Sequence, residues 1–370
     1  MNKIKKSKRF IPTTLAEVST DWLTEIMSRE HPKVEVIAAQ VGDFFGHKQN
    51  KARVKVKYND AGRKAKLPTS LVVKGGFKGK SDSGALSGLD IGLELELLAY
   101  AELVPHLKVN TPRCFGVSFD AKNYNGAMVL QDLTPTGATF LNDTLCLSYP
   151  QAAAFLDAMA RYHAQWLGGP EMDKGGKFGP ESAVGQRGDR LHHDYIDHLV
   201  RPEYWDTFVA LPRGSSLPRA LQDAGRVAAA QAKMIELHGA CAKTIVHGDE
   251  HMGNIYLDAK GRPGFLDWCS RREPWVVSFA YFLMSTVDAL DRRQWERPLL
   301  QYYLERLTHF GAHAPGFDEA WFMYRCTLVF PFLTWFNNSA KWQPESINTR
   351  HTMRAALAML DHDTFGLLGV

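Results

Sequence analysis

Apolar and polar positions alternate at short range in the first third of the chain and recur at helical spacing through most of the rest. Lys51, Arg53, Lys55 and Lys57 interleave with Ala52, Val54, Val56 and Tyr58, the period of a strand with one face buried and one in solvent. Similar runs predict strands over residues 34–41, 53–58, 70–74, 113–119 and 127–131. Between them the pattern predicts a short helix over 21–29, capped by Ser19 or Thr20, and a longer one over about 90–104. Asp132-Leu133-Thr134-Pro135-Thr136-Gly137 carries the proline and glycine of a connector. Beyond it Phe155, Met159, Tyr162 and Trp166 recur at spacings of four, three and four in a helix opened by Pro150. Further helices are predicted over 218–237, 275–289, 294–310, 317–337 and 349–361, with a glycine-rich loop at 168–188. The expected fold is α+β and bilobal: a small β-rich N-lobe, residues 1–133, hinged to a larger, mainly helical C-lobe, residues 134–370. A cleft between such lobes is the default binding site.

Composition narrows the class. With 370 residues, 45% hydrophobic and 23% charged, the chain reads as an ordinary globular protein. The longest apolar stretches, 276–284 and 327–336, fall short of the ~20 residues of a membrane helix. The basic start, residues 1–9, has no apolar run behind it and does not read as a secretory signal. Five scattered cysteines with no Cys-x-x-Cys pair predict reduced thiols and a cytoplasmic setting. Residues 1–133 hold 21 Lys+Arg against 14 Asp+Glu, and the remainder 23 against 26. A basic first lobe suits a triphosphate. Its densest cluster is the solvent face of one strand, so neither nucleic acid nor membrane is expected as a partner.

The chemistry concentrates in His247-Gly248-Asp249-Glu250-His251-Met252-Gly253-Asn254, followed thirteen residues after the asparagine by Asp267-Trp268. Ile255-Tyr256-Leu257 and Gly264-Phe265-Leu266 read as a hairpin around the turn at 258–261, which brings Asn254 and Asp267 to one end of a small sheet. Ile245-Val246 is expected as its third strand, delivering Asp249 on the following loop. Two carboxylates and an amide so placed are what a kinase uses. One acid aligns the attacking hydroxyl, while the amide and the other acid hold Mg²⁺ on a nucleotide's phosphates. Upstream, Lys74 ends a buried strand and Glu96 lies on the next helix, an ion pair that would aim the lysine at phosphates. Gly42-Asp43-Phe44-Phe45-Gly46 is expected as a turn covering the phosphates with backbone N–H groups.

The segments Glu96-Leu-Leu-Ala-Tyr100, Val129-Leu130-Gln131-Asp132-Leu133, His247-Gly-Asp-x-His-x-Gly-Asn254 and Asp267-Trp268 resemble the aminoglycoside phosphotransferase/choline kinase superfamily, and within it the ecdysteroid-kinase-like branch. The resemblance implies an ATP- and Mg²⁺-dependent small-molecule kinase with Asp249 as catalytic base and Asn254 and Asp267 as metal ligands. It implies Lys74 and Glu96 as the phosphate-positioning pair, Gly46 in the glycine turn, and Gln131 to Leu133 as the hinge against adenine. The chain departs from the family at Ser278, where an acid usually braces the catalytic loop, and at Gln131, where glutamate is common. The first departure keeps a nucleotide-binding pseudokinase as an alternative. A second alternative is a metal-dependent hydrolase, with His247, Asp249 and His251 as ligands and His192-His193-Asp194 completing the site. His247 and His251 are expected instead to hydrogen-bond the loop and hold Asp249. Lys74-Gly-Gly-Phe-Lys-Gly-Lys80-Ser81 nearly matches a P-loop but lacks its first glycine and the helix that should follow. Only 269–274 separates Asp267-Trp268 from the next apolar helix, too little for a peptide-docking activation segment, so the expected acceptor is a small molecule. The aromatic run Trp321, Phe322, Tyr324, Phe330, Phe332, Trp335 and Phe336 reads first as core, and otherwise as the lining for a hydrophobic alcohol.

Overall fold

The structure, a computed structural model, is described for residues 10–45, 50–77, 91–120, 122–123, 125–186 and 198–370. Gly46, Lys78 to Ser81 and His192 to Asp194, all singled out above, lie outside the described residues. The chain divides into two compact units, one of Met1–His106 with Thr111–Ala138, the other of Leu107–Asn110 with Thr139–Val370.

In the first unit five antiparallel strands run β1 (Val36–Phe45), β2 (Lys51–Tyr58), β3 (Ser70–Gly75), β4 (Cys114–Asp120) and β5 (Asn125–Gln131), in the order β1-β2-β3-β5-β4. The alternation in β2 does what its period dictates: Ala52, Val54, Val56 and Tyr58 are buried, while Arg53, Lys55 and Lys57 face solvent. Helix α1 (Thr20–Ser28) starts where Ser19 Oγ accepts the Trp22 amide at 3.2 Å. It buries Trp22, Leu23 and Ile26 against Val54, Val73 and Val129 of the sheet. Helix α2 (Ile91–Leu98), which carries Glu96, passes into a π-helical turn, Ala99–Leu103. One expectation fails here. Gly42 to Phe45 are not a turn but the end of β1, where a bulge between Val41 and Phe44 absorbs the irregularity.

The second unit is mainly helical, with α3 (Tyr149–His163), α4 (Ala224–Gly239), α5 (Trp275–Thr286), α6 (Ala289–His309), α7 (Phe317–Thr327), α8 (Val329–Phe336) and α9 (Glu345–Asp361) as its longer elements. Boundaries moved where a cap outweighed apolar periodicity. Asp223 caps α4 by accepting the Arg226 amide, so the predicted 218–237 helix breaks in two. Asp288 accepts the Leu290 amide and opens α6 five residues earlier than expected, with Pro298 inside it. The predicted 317–337 helix is two, divided at Leu328. Of the aromatic run, Tyr324, Phe330, Phe332, Trp335 and Phe336 are buried, as a core reading requires. No helix among the described residues is long and apolar enough to cross a membrane.

Two small sheets position the segment from His247 to Asp267. The strands β8 (Ile255–Leu257) and β9 (Pro263–Phe265) form the expected hairpin. Its third strand is β6 (Thr139–Phe140), whereas β7 (Lys243–Val246) pairs with β10 (Arg271–Pro274), correcting the expected placement of Ile245-Val246. A two-residue strand carries no periodic signal, which is why β6 was invisible in the sequence.

Candidate active site

Between β7 and β8 the chain makes a loop whose shape is imposed by glycine and histidine. Gly248 has φ +90°, and a Cβ there would stand 2.3 Å from the Cys269 carbonyl oxygen, so no other residue fits without moving the backbone. His247 is fully buried. Its Nε2 lies 2.6 Å from the Leu266 carbonyl and so carries the hydrogen, leaving Nδ1 to accept the Asp249 amide at 3.2 Å. One imidazole thus ties the loop to the return strand, just ahead of Asp267. Burial holds its pKa below the ordinary histidine value, the surrounding acids offsetting this only in part. Both ring nitrogens of His247 are engaged; among the described residues no cluster of three His, Cys, Asp or Glu could hold a metal, and His192 to Asp194, expected to complete such a site, lie outside them.

Asp249 follows, with its side chain 37% exposed. Asn254 Nδ2 donates both to its backbone carbonyl, at 3.0 Å, and to its Oδ2, at 2.9 Å. Tyr281 of α5 donates its hydroxyl to Oδ1 at 2.9 Å. Burial, and then the Asp249 carboxylate, push the Tyr281 pKa well above the ordinary phenol value, so it is a donor. The Leu266 amide donates to the Asn254 carbonyl at 2.8 Å, which sets Asn254 opposite the residue before Asp267. Asp267 itself adopts φ +52°, a left-handed conformation that costs a non-glycine residue about 1–3 kcal/mol and is tolerated where surrounding structure enforces it. The hairpin therefore brings Asp249, Asn254 and Asp267 to one sheet end.

A second layer lies behind. His251 Nε2 stands 3.8 Å from Asp249 Oδ2, and its Nδ1 lies 3.1 Å from Asp143 Oδ1. Burial opposes charging His251, but the carboxylates of Asp249, Asp143 and Asp267 outweigh it and push its pKa up to about 9. Burial would raise the Asp143 pKa; hydrogen bonds and charge from His251 and His351 reverse that and hold it well below the usual carboxylate range. Arg271 donates to the Gly248 carbonyl at 3.2 Å. Glu250, nearly fully buried, accepts from Ser278 and, at 3.3 Å, from Tyr162. The acid that sequence reasoning found missing at 278 is thus met by one on the loop itself.

In the first unit Lys74 Nζ lies 2.6 Å from Glu96 Oε2, with the two side chains 6% and 3% exposed. Gln131 ends β5, its amide donating to the Arg113 carbonyl at 2.8 Å, and Leu133 is buried. Between them Asp132 accepts from Ser70 at 2.7 Å and pairs with Arg53 at 3.3 Å. Sequence reasoning missed Tyr281, Glu250, Asp143 and His351 as parts of the site. Only Glu250, inside the motif, had a signal that could have found it.

The ecdysteroid kinase-like family model matches residues 50–168. A search of curated proteins finds no match. Among solved structures, the chain shares its fold with a Ralstonia eutropha JMP134 protein provisionally designated an aminoglycoside phosphotransferase, at 15% identity and TM-score 0.51 over 93% of this chain and 98% of that one. It shares it also with the Plasmodium vivax ethanolamine kinase, at 11% identity and TM-score 0.53 over 88% of this chain and 81% of that one. In motif and in fold the chain resembles the aminoglycoside phosphotransferase/choline kinase superfamily, and in sequence its ecdysteroid kinase-like branch.

Proposed function

We propose that the protein is a small-molecule kinase that moves the γ-phosphoryl group of ATP to a hydroxyl of its acceptor. The observation that carries this reading is the convergence of Asp249, Asn254 and Asp267 at the end of the β8–β9 hairpin. Asp249 accepts the acceptor's hydroxyl hydrogen and aligns the oxygen for in-line attack on phosphorus. Asn254 and Asp267 are the ligands we assign to Mg²⁺, which neutralises phosphate charge when bound. The donor set fits that ion: Asn254 commits its Nδ2 to Asp249, and the amide oxygen and the Asp267 carboxylate are hard oxygen ligands. Lys74, aimed by Glu96, is assigned to the α- and β-phosphates, and Gln131 to Leu133 to the adenine.

For the acceptor we propose a small alcohol without multiple positive charges. Polycations require unengaged acids, and those nearest Asp249 already have partners: Glu250 takes Ser278 and Tyr162, and Asp143 takes His251. A cytoplasmic setting accords with five free cysteines. The test has two steps. Mg²⁺ with ATP should raise the thermal midpoint where Zn²⁺ does not. Asp249→Asn should then cut ADP formation with an acceptor by on the order of 10³-fold while nucleotide still shifts the midpoint. Unchanged turnover in Asp249→Asn removes the base assignment. A wild-type chain that binds ATP but phosphorylates nothing in a broad alcohol panel supports the pseudokinase instead.

A further inference from the structure

Two consecutive residues of the catalytic loop are acids, and they point in opposite senses: Asp249 remains 37% exposed whereas Glu250 is 1% exposed. The His251 amide donates to the Asp249 carbonyl at 3.0 Å, a γ-turn centred on Glu250, and that turn by itself does not decide which of two neighbouring carboxylates turns inward. The decision is made by one helix. On α5, Ser278 and Tyr281 stand three residues apart and therefore on the same face. Ser278 donates its hydroxyl to Glu250 Oε1, and Tyr281 donates its hydroxyl to Asp249 Oδ1 at 2.9 Å. The two hydroxyls reach different depths, the short serine to the buried acid and the long tyrosine to the exposed one.

We infer that Ser278 and Tyr281 form a two-rung hydroxyl ladder that holds Glu250 and Asp249 in register, and that both are positioning residues for phosphoryl transfer. The inference rests on the reading of Asp249 as the base. Each rung is independently braced. Tyr162 supplies a second hydroxyl to the same oxygen of Glu250, at 3.3 Å, so the inner acid is fixed from two helices. Tyr281 stacks on Trp335 of α8, with centroids 6.0 Å apart and planes 8° from parallel. Trp335 is itself packed against His351 at 4.1 Å and His251 at 5.5 Å. With Oδ1 taken by Tyr281 and Oδ2 by Asn254, the Asp249 carboxylate can swing about neither side-chain bond without breaking a hydrogen bond. A reacting oxygen then meets a base of fixed direction, the condition under which orientation contributes most to rate.

The experiment compares Ser278→Ala, Ser278→Thr and Tyr281→Phe in the full chain, with Mg²⁺-ATP and an acceptor turned over by the wild type. Tyr281→Phe keeps the ring and its stack and removes only the hydroxyl. Its kcat should fall on the order of 10- to 100-fold, with KM for ATP within about twofold of wild type. Ser278→Ala should lower kcat in the same manner, and Ser278→Thr, which keeps a hydroxyl, should restore it. Wild-type kcat in Tyr281→Phe overturns the proposal, as does a Thr variant no better than Ala. If the wild type transfers nothing, the kinase reading fails and the ladder is read without turnover. Asp249→Ala and Tyr281→Phe are then combined in a double-mutant cycle of denaturant unfolding. Non-additive stability losses uphold the contact, and additive losses overturn it.

Discussion

In the first unit Lys74 is fixed by a full opposite charge, with Glu96 at 2.6 Å and neither side chain more than 6% exposed. In the second unit Asp249, 37% exposed, takes its hydrogen bonds from a phenol and an amide, both neutral donors, with the His251 ring farther off at 3.8 Å. The difference teaches what each residue is asked to do. A buried ammonium must keep its counterion, because charge without a partner is costly away from water. The base proposed for Asp249 must give direction to its carboxylate and still leave it open to an incoming hydroxyl. Hydrogen bonds from neutral donors do that.

The comparison can be broken by substitution. Lys74→Met should cost the fold up to about 3–5 kcal/mol, since it takes the Lys74 ammonium away from the buried Glu96 carboxylate. A denaturant melt within 1 kcal/mol of wild type, on the order of an exposed ion pair, would show that Lys74 is not held as described. Asp249→Asn, which removes a half-exposed carboxylate facing His251, should shift the melt by less than Lys74→Met while turnover collapses.

Behind the neutral donors lies a charged pair that sharpens the contrast, Asp143 with His251. Asp143→Asn should cost on the order of 1–3 kcal/mol at neutral pH. Asp143 has a folded-state pKa below its unfolded value, so its stabilisation is complete above about pH 4, the ordinary aspartate range, and is lost as pH falls through the folded value. His251 has a raised pKa, so its contribution is complete below about pH 6.5, the ordinary histidine value, and is lost as pH rises through about 9. The gap between wild type and Asp143→Asn should therefore narrow progressively as pH falls below about 4, and a gap that does not narrow at all between neutral pH and about pH 3 contradicts the pairing. The smallest effect belongs to Arg53→Ala. Arg53 is 48% exposed, and its partner Asp132 keeps Ser70 and the Thr134 amide, so the loss should stay within about 1 kcal/mol.

The strands of the first unit were legible because alternation in β2 and the apolar run of β3 each encode a face, and a face is a local property. The candidate site of Asp249, Asn254 and Asp267 was legible because a loop, a hairpin and its turn are built from residues close in sequence. Helix ends were less so: Asp223 and Asp288 look like any surface acid until their carboxylates are seen to accept amides at 3.0 Å. Gly42 to Phe45 misled because a glycine inside a bulged strand and a glycine in a turn have the same sequence signature.

From residue order alone came the two kinds of region, the strand that carries Lys74, and the hairpin that joins Asn254 to Asp267. Tertiary structure alone decided which distant side chains hold Asp249 and its neighbour His251. Tyr281 reaches it from 32 residues away, and Asp143 reaches His251 from 108. Neither contact has a period, a spacing or a composition to announce it. Hydrogen bonds between distant residues depend on where packed helices place their ends, and that placement is set by the burial of the whole core.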